Sequence, residues 1–193
     1  MPEQKVVVIP DGKICDYIDE KFRNDTPEEY VRQTIEKRLV NEHKYLPSQI
    51  KIEYTLQVGA NKPRADIVIW DKEVSQQVQD NIKLIIECKK ETVDAQNAKD
   101  GIAQLKSYMS VCPNCEWGMW TNSIQKFVFR KTIDEAGKIA FMEYNDIPSA
   151  DTTVRLKYRS IICKEVELFR GIPVWRFLQG IPVQIEDFDQ SEV

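Results

Sequence analysis

Two strongly β-forming runs close together in the chain constrain its fold more than any other feature. RADIVIW occupies residues 64–70 and IKLIIEC occupies residues 82–88. Both are almost continuously apolar and rich in β-branched side chains, as in strands at the centre of a sheet that helices cover on both faces. The sequence therefore predicts an α/β fold built around these two strands.

Charged residues stand at the ends of the two runs. Asp66 lies near the start of the first, and Glu87 and Lys89 close the second. Side chains alternate along a strand, so Glu87 and Lys89 emerge on one face while the side chain of Cys88 points to the other. Two carboxylates can hold a hard divalent cation through oxygen ligands, and magnesium needs few of them. We therefore predict a Mg²⁺ site, which Mn²⁺ can also occupy, formed by Asp66, Glu87 and the backbone carbonyl of Cys88.

Lys89 has a different predicted role in the same site. An ammonium group there can orient or deprotonate the attacking water, and it can offset negative charge that develops on a phosphate. Hydrolysis of phosphodiesters commonly uses a metal ion that polarises the phosphate and lowers the pKa of bound water. The trio Asp66, Glu87 and Lys89 thus indicates a metal-dependent phosphodiesterase.

The rest of the chain supplies the elements around these strands. Thr26, Pro27 and the acids that follow them mark the start of a helix. In chain order the patterns predict an edge strand or a loose arm at 5–9, a helix from 27 to about 43 and strands at 50–57, 65–70 and 82–88. A helix at 94–111, a hairpin of strands at 116–121 and 125–131, and a third helix at 156–170 follow.

An acid from the first helix is a further candidate for the site. Glu28 falls within the arc of the apolar stripe of that helix, and an acid on a buried face needs a reason. Glu29 and Glu36 point nearer the polar edge and are second choices. A first-turn acid can also serve only to stabilise the start of the helix, and that alternative stays open.

The second predicted helix carries a polar pair. Gln104 and Tyr108 are four residues apart at one edge of its apolar stripe, so they lie on the same side of the helix. Their position predicts that they flank the cleft.

Composition limits the classes of protein that the chain can belong to. Its 193 residues, 42% of them apolar, suit one domain, with a core at about 26–131 and an extension of unassigned role at about 134–193. No apolar run is long enough to cross a membrane, and an odd count of five cysteines indicates reduced thiols, so we expect a cytoplasmic protein. A single histidine argues against a catalytic triad.

The CPNC segment at 112–115 is interpreted as a turn between buried thiols, with a metal site or redox pair as the alternatives.

Charge is unevenly distributed along the chain. The net charge is −4, and the last thirteen residues contain four acids and no lysine or arginine. Residues 151–180 have six basic and three acidic side chains. This local excess permits contact with DNA without establishing it.

At these residues the sequence resembles the PD-(D/E)XK nuclease superfamily, and within it the N-terminal nuclease domain of type I restriction enzyme R subunits. The resemblance covers about residues 26–131. The motifs that carry it are PEEYVRQ (27–33), RADIVIW (64–70), LIIECKK (84–90), AQLKSYM (103–109) and WTN (120–122). It implies a restriction endonuclease-like core, a central mixed β-sheet flanked by α-helices, and Mg²⁺-dependent cleavage of DNA.

The resemblance also implies roles for individual residues. Asp66 and Glu87 take the positions of the metal ligands, Lys89 that of the catalytic lysine and Glu28 that of an accessory acid. Gln104 and Tyr108 match the Q-x-x-x-Y element, which supports the active site or contacts DNA in that family.

One departure from the family pattern concerns the partners. The chain has no G-x-x-x-x-G-K-[ST] phosphate loop, so an ATP-driven translocase would have to come from a partner, or the chain is a stand-alone relative. The expected partners are DNA, subunits of a restriction-modification system and a second copy of the chain. Two rival functions remain: a catalytically weak module that binds DNA or another subunit, and an RNA-processing nuclease on the same fold.

Overall fold

Six strands form the central sheet of the computed structural model, which describes residues 8–135 and 137–150. In chain order the elements are β1 (Lys13–Cys15), β2 (Phe22–Asn24), α1 (Pro27–Asn41), β3 (Ile50–Thr55), β4 (Arg64–Trp70), β5 (Ile82–Cys88), α2 (Ile102–Val111), β6 (Trp117–Thr121), β7 (Lys126–Ile133) and β8 (Ile139–Tyr144). Short 3₁₀ turns at Pro47–Gln49 and Gln79–Asn81 precede β3 and β5.

The sheet is mixed, as predicted. Its strand order is β3-β4-β5-β6-β7-β8, and all neighbours are antiparallel except β5 and β6, which are parallel. A parallel pair needs a crossover connection, and α2 lies within it and contacts both strands. A mixed sheet with two helices is compatible with the restriction endonuclease-like core that the resemblance implied.

The two apolar runs form the centre of the sheet. Val68 and Ile85 pack in one cluster with Leu105 and Met109 of α2, and all four are fully buried. The alternate residues of β4 and β5 are buried as well, and α1 contacts β5. Burial on both faces explains why these strands are continuously apolar instead of alternating.

The first helix follows its sequence signals. The Thr26 hydroxyl accepts a hydrogen bond from the Glu29 N–H at 3.2 Å, and Pro27 occupies the first helical turn. The apolar stripe of Val31, Ile35 and Leu39 is buried. The helix ends at Asn41, slightly earlier than predicted.

The predicted bounds of the second helix were wrong at its start. Residues 94–101 form turns, and α2 begins only at Ile102. The Asp94 carboxylate accepts a hydrogen bond from the Gln96 N–H, and the Asn97 amide oxygen accepts from two N–H groups that follow it. These local bonds compete with helical bonding, so Ala98 is exposed instead of joining the apolar stripe.

Three further expectations meet different outcomes. Val8 and Ile9 are exposed and outside any strand, so the predicted strand at 5–9 is wrong for its described part, and 5–7 lie outside the described residues. Strand β8 extends the sheet beyond residue 134, where the sequence pattern was weak. The predicted helix at 156–170 also lies outside the described residues, so the one-domain organisation stays a prediction.

A separate two-stranded sheet precedes α1. Strands β1 and β2 are antiparallel, with Lys13 opposite Asn24 and Cys15 opposite Phe22. We call residues 13–24 the N-terminal hairpin. Within residues 8–135 and 137–150, no helix is long and apolar enough to cross a membrane.

Candidate active site

Asp66, Glu87 and Lys89 meet at one end of the central strands, as strand alternation predicted. The register pairs Ile67 with Ile86, so the residues just beyond this pair, Asp66 and Glu87, face one another. The Lys89 ammonium lies 2.9 Å from Glu87 Oε2 and 3.5 Å from Asp66 Oδ2. The Lys89 N–H donates to the Thr121 carbonyl of β6 at 2.8 Å, which fixes the backbone just past β5. Three chain segments therefore hold one carboxylate–ammonium cluster.

The backbone also holds the Asp66 carboxylate. Its Oδ2 accepts a hydrogen bond from the Cys88 N–H at 2.8 Å. In return the Asp66 N–H lies 3.4 Å from Glu87 Oε1, on the opposite strand. Both acids are thus oriented by groups of the neighbouring strand, which limits the rotamers they can adopt.

Burial gives the site unusual electrostatics. The Glu87 side chain is 1% exposed, and burial raises its pKa, with a further rise from the charge of Asp66 that Lys89 only partly opposes. Burial lowers the pKa of Lys89, but the charges of Glu87 and Asp66 together outweigh it, so the pKa is raised overall. Lys89 therefore keeps its proton at neutral pH.

Glu28 lies at the open side of this cluster. Its Oε1 is 3.8 Å from the Lys89 ammonium, and its side chain is half exposed. The prediction that Glu28 lies on the buried face of the helix is therefore wrong, although the side chain does reach the cluster. Partial burial raises the pKa of Glu28, while the charge of Lys89 acts in the opposite direction.

The two second-choice acids of α1 are buried but do not reach the carboxylate–ammonium cluster. Glu29 and Glu36 are buried, at 7% and 0% exposed, but both pair with Arg32 and not with Lys89. The polar stripe to which they belong is covered by the N-terminal hairpin. Helical periodicity does not detect this cover because it comes from another part of the chain.

Gln104 and Tyr108 of α2 lie together as their spacing predicted. The Gln104 amide donates to the Tyr108 hydroxyl at 3.0 Å. Burial raises the pKa of Tyr108, and the charge of Glu87 adds to the rise, which places the phenol within electrostatic range of the cluster. The Gln104 amide oxygen is buried with no hydrogen-bond partner among the described residues.

The chain from α1 to β8 matches a known protein family. The family described as the type I restriction enzyme R protein N terminus matches residues 27–148, more than half of the chain. The chain belongs to this family. The match includes every element from α1 to β8, so it reaches beyond residue 131, where the resemblance ended. No curated protein and no solved structure matches the chain.

The N-terminal hairpin lies outside the range matched by the R protein family. It is joined to α1 by five charged side chains that we call the hairpin charge cluster: Asp16, Arg23, Glu29, Arg32 and Glu36. Arg23 lies 2.8 Å from Asp16, while Arg32 pairs with Glu29, with Glu36 at 3.4 Å and with Asp16 at 3.6 Å. No spacing in the sequence indicates this cluster, so it could not be predicted.

A cavity of about 500 Å³ lies between the N-terminal hairpin and the ends of β4 and β5. One wall belongs to the hairpin and the other includes Asp66, Cys88 and Arg64. Glu28 also lines it, so the cavity opens directly onto the carboxylate–ammonium cluster.

The CPNC segment forms a turn between buried thiols, as interpreted from the sequence. The Cys115 N–H donates to the Cys112 carbonyl at 3.1 Å, and both side chains are fully buried. Burial raises the pKa of Cys112 to about 11 and that of Cys115 to about 12, so neither is a thiolate at neutral pH. In the part of the chain that the structure describes, no group of three or more His, Cys, Asp and Glu side chains is arranged to hold a metal.

Proposed function

We propose that the chain is a Mg²⁺-dependent DNA endonuclease, the nuclease module of a restriction-modification system. The observation that supports this most strongly is the Lys89 ammonium, at salt-bridge distance from both Asp66 and Glu87 and 3.8 Å from Glu28. Membership of the type I R protein family agrees with the proposal. Water would attack the phosphodiester directly, with no covalent intermediate.

The charges of the cluster suit a divalent cation. Two carboxylates, one fully buried, face a single ammonium group, and a third carboxylate lies at the opening. Burial and the charge of Asp66 raise the pKa of Glu87, and a bound cation would favour its ionised form. Asp66, Glu87 and the Cys88 carbonyl would hold Mg²⁺ or Mn²⁺, and such an ion lowers the pKa of bound water and polarises the phosphate.

The side chains around the cluster have separable roles in this proposal. Lys89 would orient the attacking water and stabilise negative charge on the phosphate. Glu28, half exposed at the opening, can accept a hydrogen bond from that water. Gln104 and Tyr108 support the site from α2, and the unused Gln104 oxygen can accept a further hydrogen bond.

Membership of the R protein family supports the proposed partners. DNA is the proposed substrate, and other restriction-modification subunits would supply sequence recognition and translocation. One cluster cuts one strand, so cleavage of both strands needs a second copy of the chain or two successive nicks. A homodimer on DNA is therefore part of the proposal.

Nicking of supercoiled plasmid in the presence of Mg²⁺ or Mn²⁺ tests the function. We expect Lys89→Ala to lower the rate at least about a hundredfold, since it removes the only cation from the cluster. Lys72→Ala is the matched control, because Lys72 is an exposed lysine outside the cluster. Equal rates for wild type and Lys89→Ala at matched purity would contradict the role of Lys89.

The rival function is a binding module that keeps the fold without cutting. One observation favours it: Lys89 already bridges the two carboxylates, which can stabilise the fold without a metal. Calorimetric titration with Mn²⁺ separates the two. A nuclease should bind the ion and lose that binding in Asp66→Asn, whereas a pure binding module should give no metal-dependent heat.

A further inference from the structure

The N-terminal hairpin presents one face to the cavity beside the candidate active site. Residues directly opposite one another in an antiparallel pair share a face, so Lys13, Asn24 and Phe22 lie on the same side. All three line the cavity. The hairpin wall of the cavity thus combines an aromatic ring, a cation and an amide.

Phe22 is unusually exposed for a residue on an anchored element. Its relative exposure is 43%, although the strand that carries it is held by buried contacts. Arg23, its neighbour, pairs with Asp16 and Asp19, and the Gln33 amide of α1 donates to the Cys15 carbonyl at 3.1 Å. The strand that carries the ring is therefore anchored in the free protein, so little backbone entropy would be lost when the ring contacts a ligand.

The opposite wall continues into the candidate active site. Arg64 is two residues before Asp66 on β4, so both side chains lie on the same face of that strand. The Arg64 side chain is 64% exposed, and its guanidinium lies 3.4 Å from Glu53. A volume of about 500 Å³ lies within the usual range for small-ligand sites. A nucleotide next to the cluster would therefore have a cation on either side and a ring within the same cavity.

We propose that this cavity binds an unpaired nucleotide adjacent to the phosphate at the active site, with its base stacked on Phe22 and its phosphate contacting Lys13 and Arg64. The proposal rests on the nuclease function and names its preferred substrate class, single-stranded DNA. Aromatic side chains bind single strands by stacking, which tolerates any base sequence. A base inside a duplex is already stacked on both faces, so a single ring at the wall of a cavity selects an unpaired base.

Binding of labelled oligonucleotides in EDTA, followed by fluorescence anisotropy, tests the proposal on the full chain. We expect Phe22→Ala to weaken binding of a single-stranded oligonucleotide by about 5- to 100-fold, the range for loss of one base–aromatic stack. Phe22→Tyr keeps a ring and should bind within about twofold of the wild type. Tyr30→Ala is the matched control, since Tyr30 is 59% exposed on α1 but does not line the cavity.

The matched duplex supplies the second arm of the experiment. Phe22→Ala should change the affinity for the duplex by less than twofold. Lys13→Gln should weaken binding of the single-stranded oligonucleotide and reduce the salt dependence of that binding. Unchanged single-strand affinity in Phe22→Ala, or an equal loss for both substrates, would overturn the proposal. Because binding is measured without metal, failure of the nuclease function would appear instead as plasmid that stays uncut while Phe22 still governs single-strand binding.

Discussion

Glu36 occupies an environment that disfavours its charge. The side chain is fully buried on α1, its closest ion pair is with Arg32 at 3.4 Å, and neither carboxylate oxygen has a hydrogen bond among the described residues. Burial raises its pKa to about 8, the charges of Asp16 and Glu29 add to the rise, and Arg32 opposes it. The neutral acid is therefore the form that the folded protein prefers.

This preference predicts that stability falls as pH rises. In the unfolded chain Glu36 ionises near its ordinary pKa of 4.5, whereas in the folded protein it keeps its proton until about pH 8. Between these values the folded state binds more protons, so the free energy of unfolding decreases with pH. We expect Glu36→Gln to remove this dependence and to be the more stable protein at pH 8, on the order of 2 kcal/mol.

Urea unfolding at pH 5, 6.5 and 8 measures the effect. Wild type and Glu36→Gln should have similar stability at pH 5 and should separate as the pH increases. Glu42→Gln serves as the control because the Glu42 side chain is 61% exposed. A difference between wild type and Glu36→Gln that stays constant from pH 5 to pH 8 would show that Glu36 is ionised throughout.

Local alternation was sufficient to predict the convergence of Asp66, Glu87 and Lys89. The position of each depends only on its own strand and on the pairing of two apolar strands. The acids of α1 could not be assigned in the same way, because Glu29 and Glu36 belong to the hairpin charge cluster, which joins α1 to the N-terminal hairpin. Contacts between segments that have no shared sequence pattern decide those positions.

At the level of elements, the start of α2 depends on a glycine. The Gly101 N–H donates to the Asn97 carbonyl, and the following N–H donates to the Ala95 carbonyl. A Cβ atom on Gly101 would lie 2.4 Å from both of these carbonyl oxygens. The turn can form only where residue 101 has no side chain. The periodicity of apolar residues does not depend on this constraint, so the pattern predicted that the helix starts at 94.

Gly101→Ala therefore distinguishes the observed turn from the predicted helix. If residues 94–101 were helical, alanine would stabilise the protein by about 1 kcal/mol. In the observed turn the Cβ atom meets backbone that is already hydrogen-bonded, and we expect a loss of about 2 kcal/mol or more. Thermal unfolding of wild type and Gly101→Ala shows whether the substitution raises or lowers stability. Ser107→Ala, at an exposed position inside α2, is the control and should be neutral or slightly stabilising.

At the scale of the whole molecule, acidic and basic side chains are unevenly distributed along the chain. Residues 1–150 contain 21 lysines and arginines against 24 aspartates and glutamates, while the basic excess lies at 151–180. Several arginines of the first region are paired with acids, including Arg23 and Arg32. The charges of residues 1–150 therefore sum to −3, and we expect tight binding to DNA to depend on partners.

The dependence of DNA binding on salt measures this directly. If Lys13, Arg64 and one further exposed lysine near the site make the phosphate contacts, log K should fall with log salt at a slope of about −2 to −3. Anisotropy titrations of the full chain between 50 and 200 mM salt would provide the slope. A slope of −6 or steeper would mean that the basic segment at 151–180 also contacts DNA.

The topology of the sheet could be predicted where each strand had its own strong pattern. The order of elements from α1 to β7 and the mixed character of the sheet are confirmed. Strand β8 could not be predicted because it is an edge strand, largely exposed, and its residues do not alternate clearly between apolar and polar. Its position comes from pairing with β7, a tertiary effect.

The hairpin charge cluster also determines at which residue a shortened version of this protein can begin. The family match begins at residue 27, which would be the natural first residue for a trimmed version of the protein. Such a version would lack Thr26, which caps α1, and Asp16 and Arg23, which cover the polar stripe of that helix. Water would reach Arg32 and Glu36, and the helix that carries Glu28 would start uncapped. For expression and crystallisation, the smallest useful fragment therefore starts no later than residue 12.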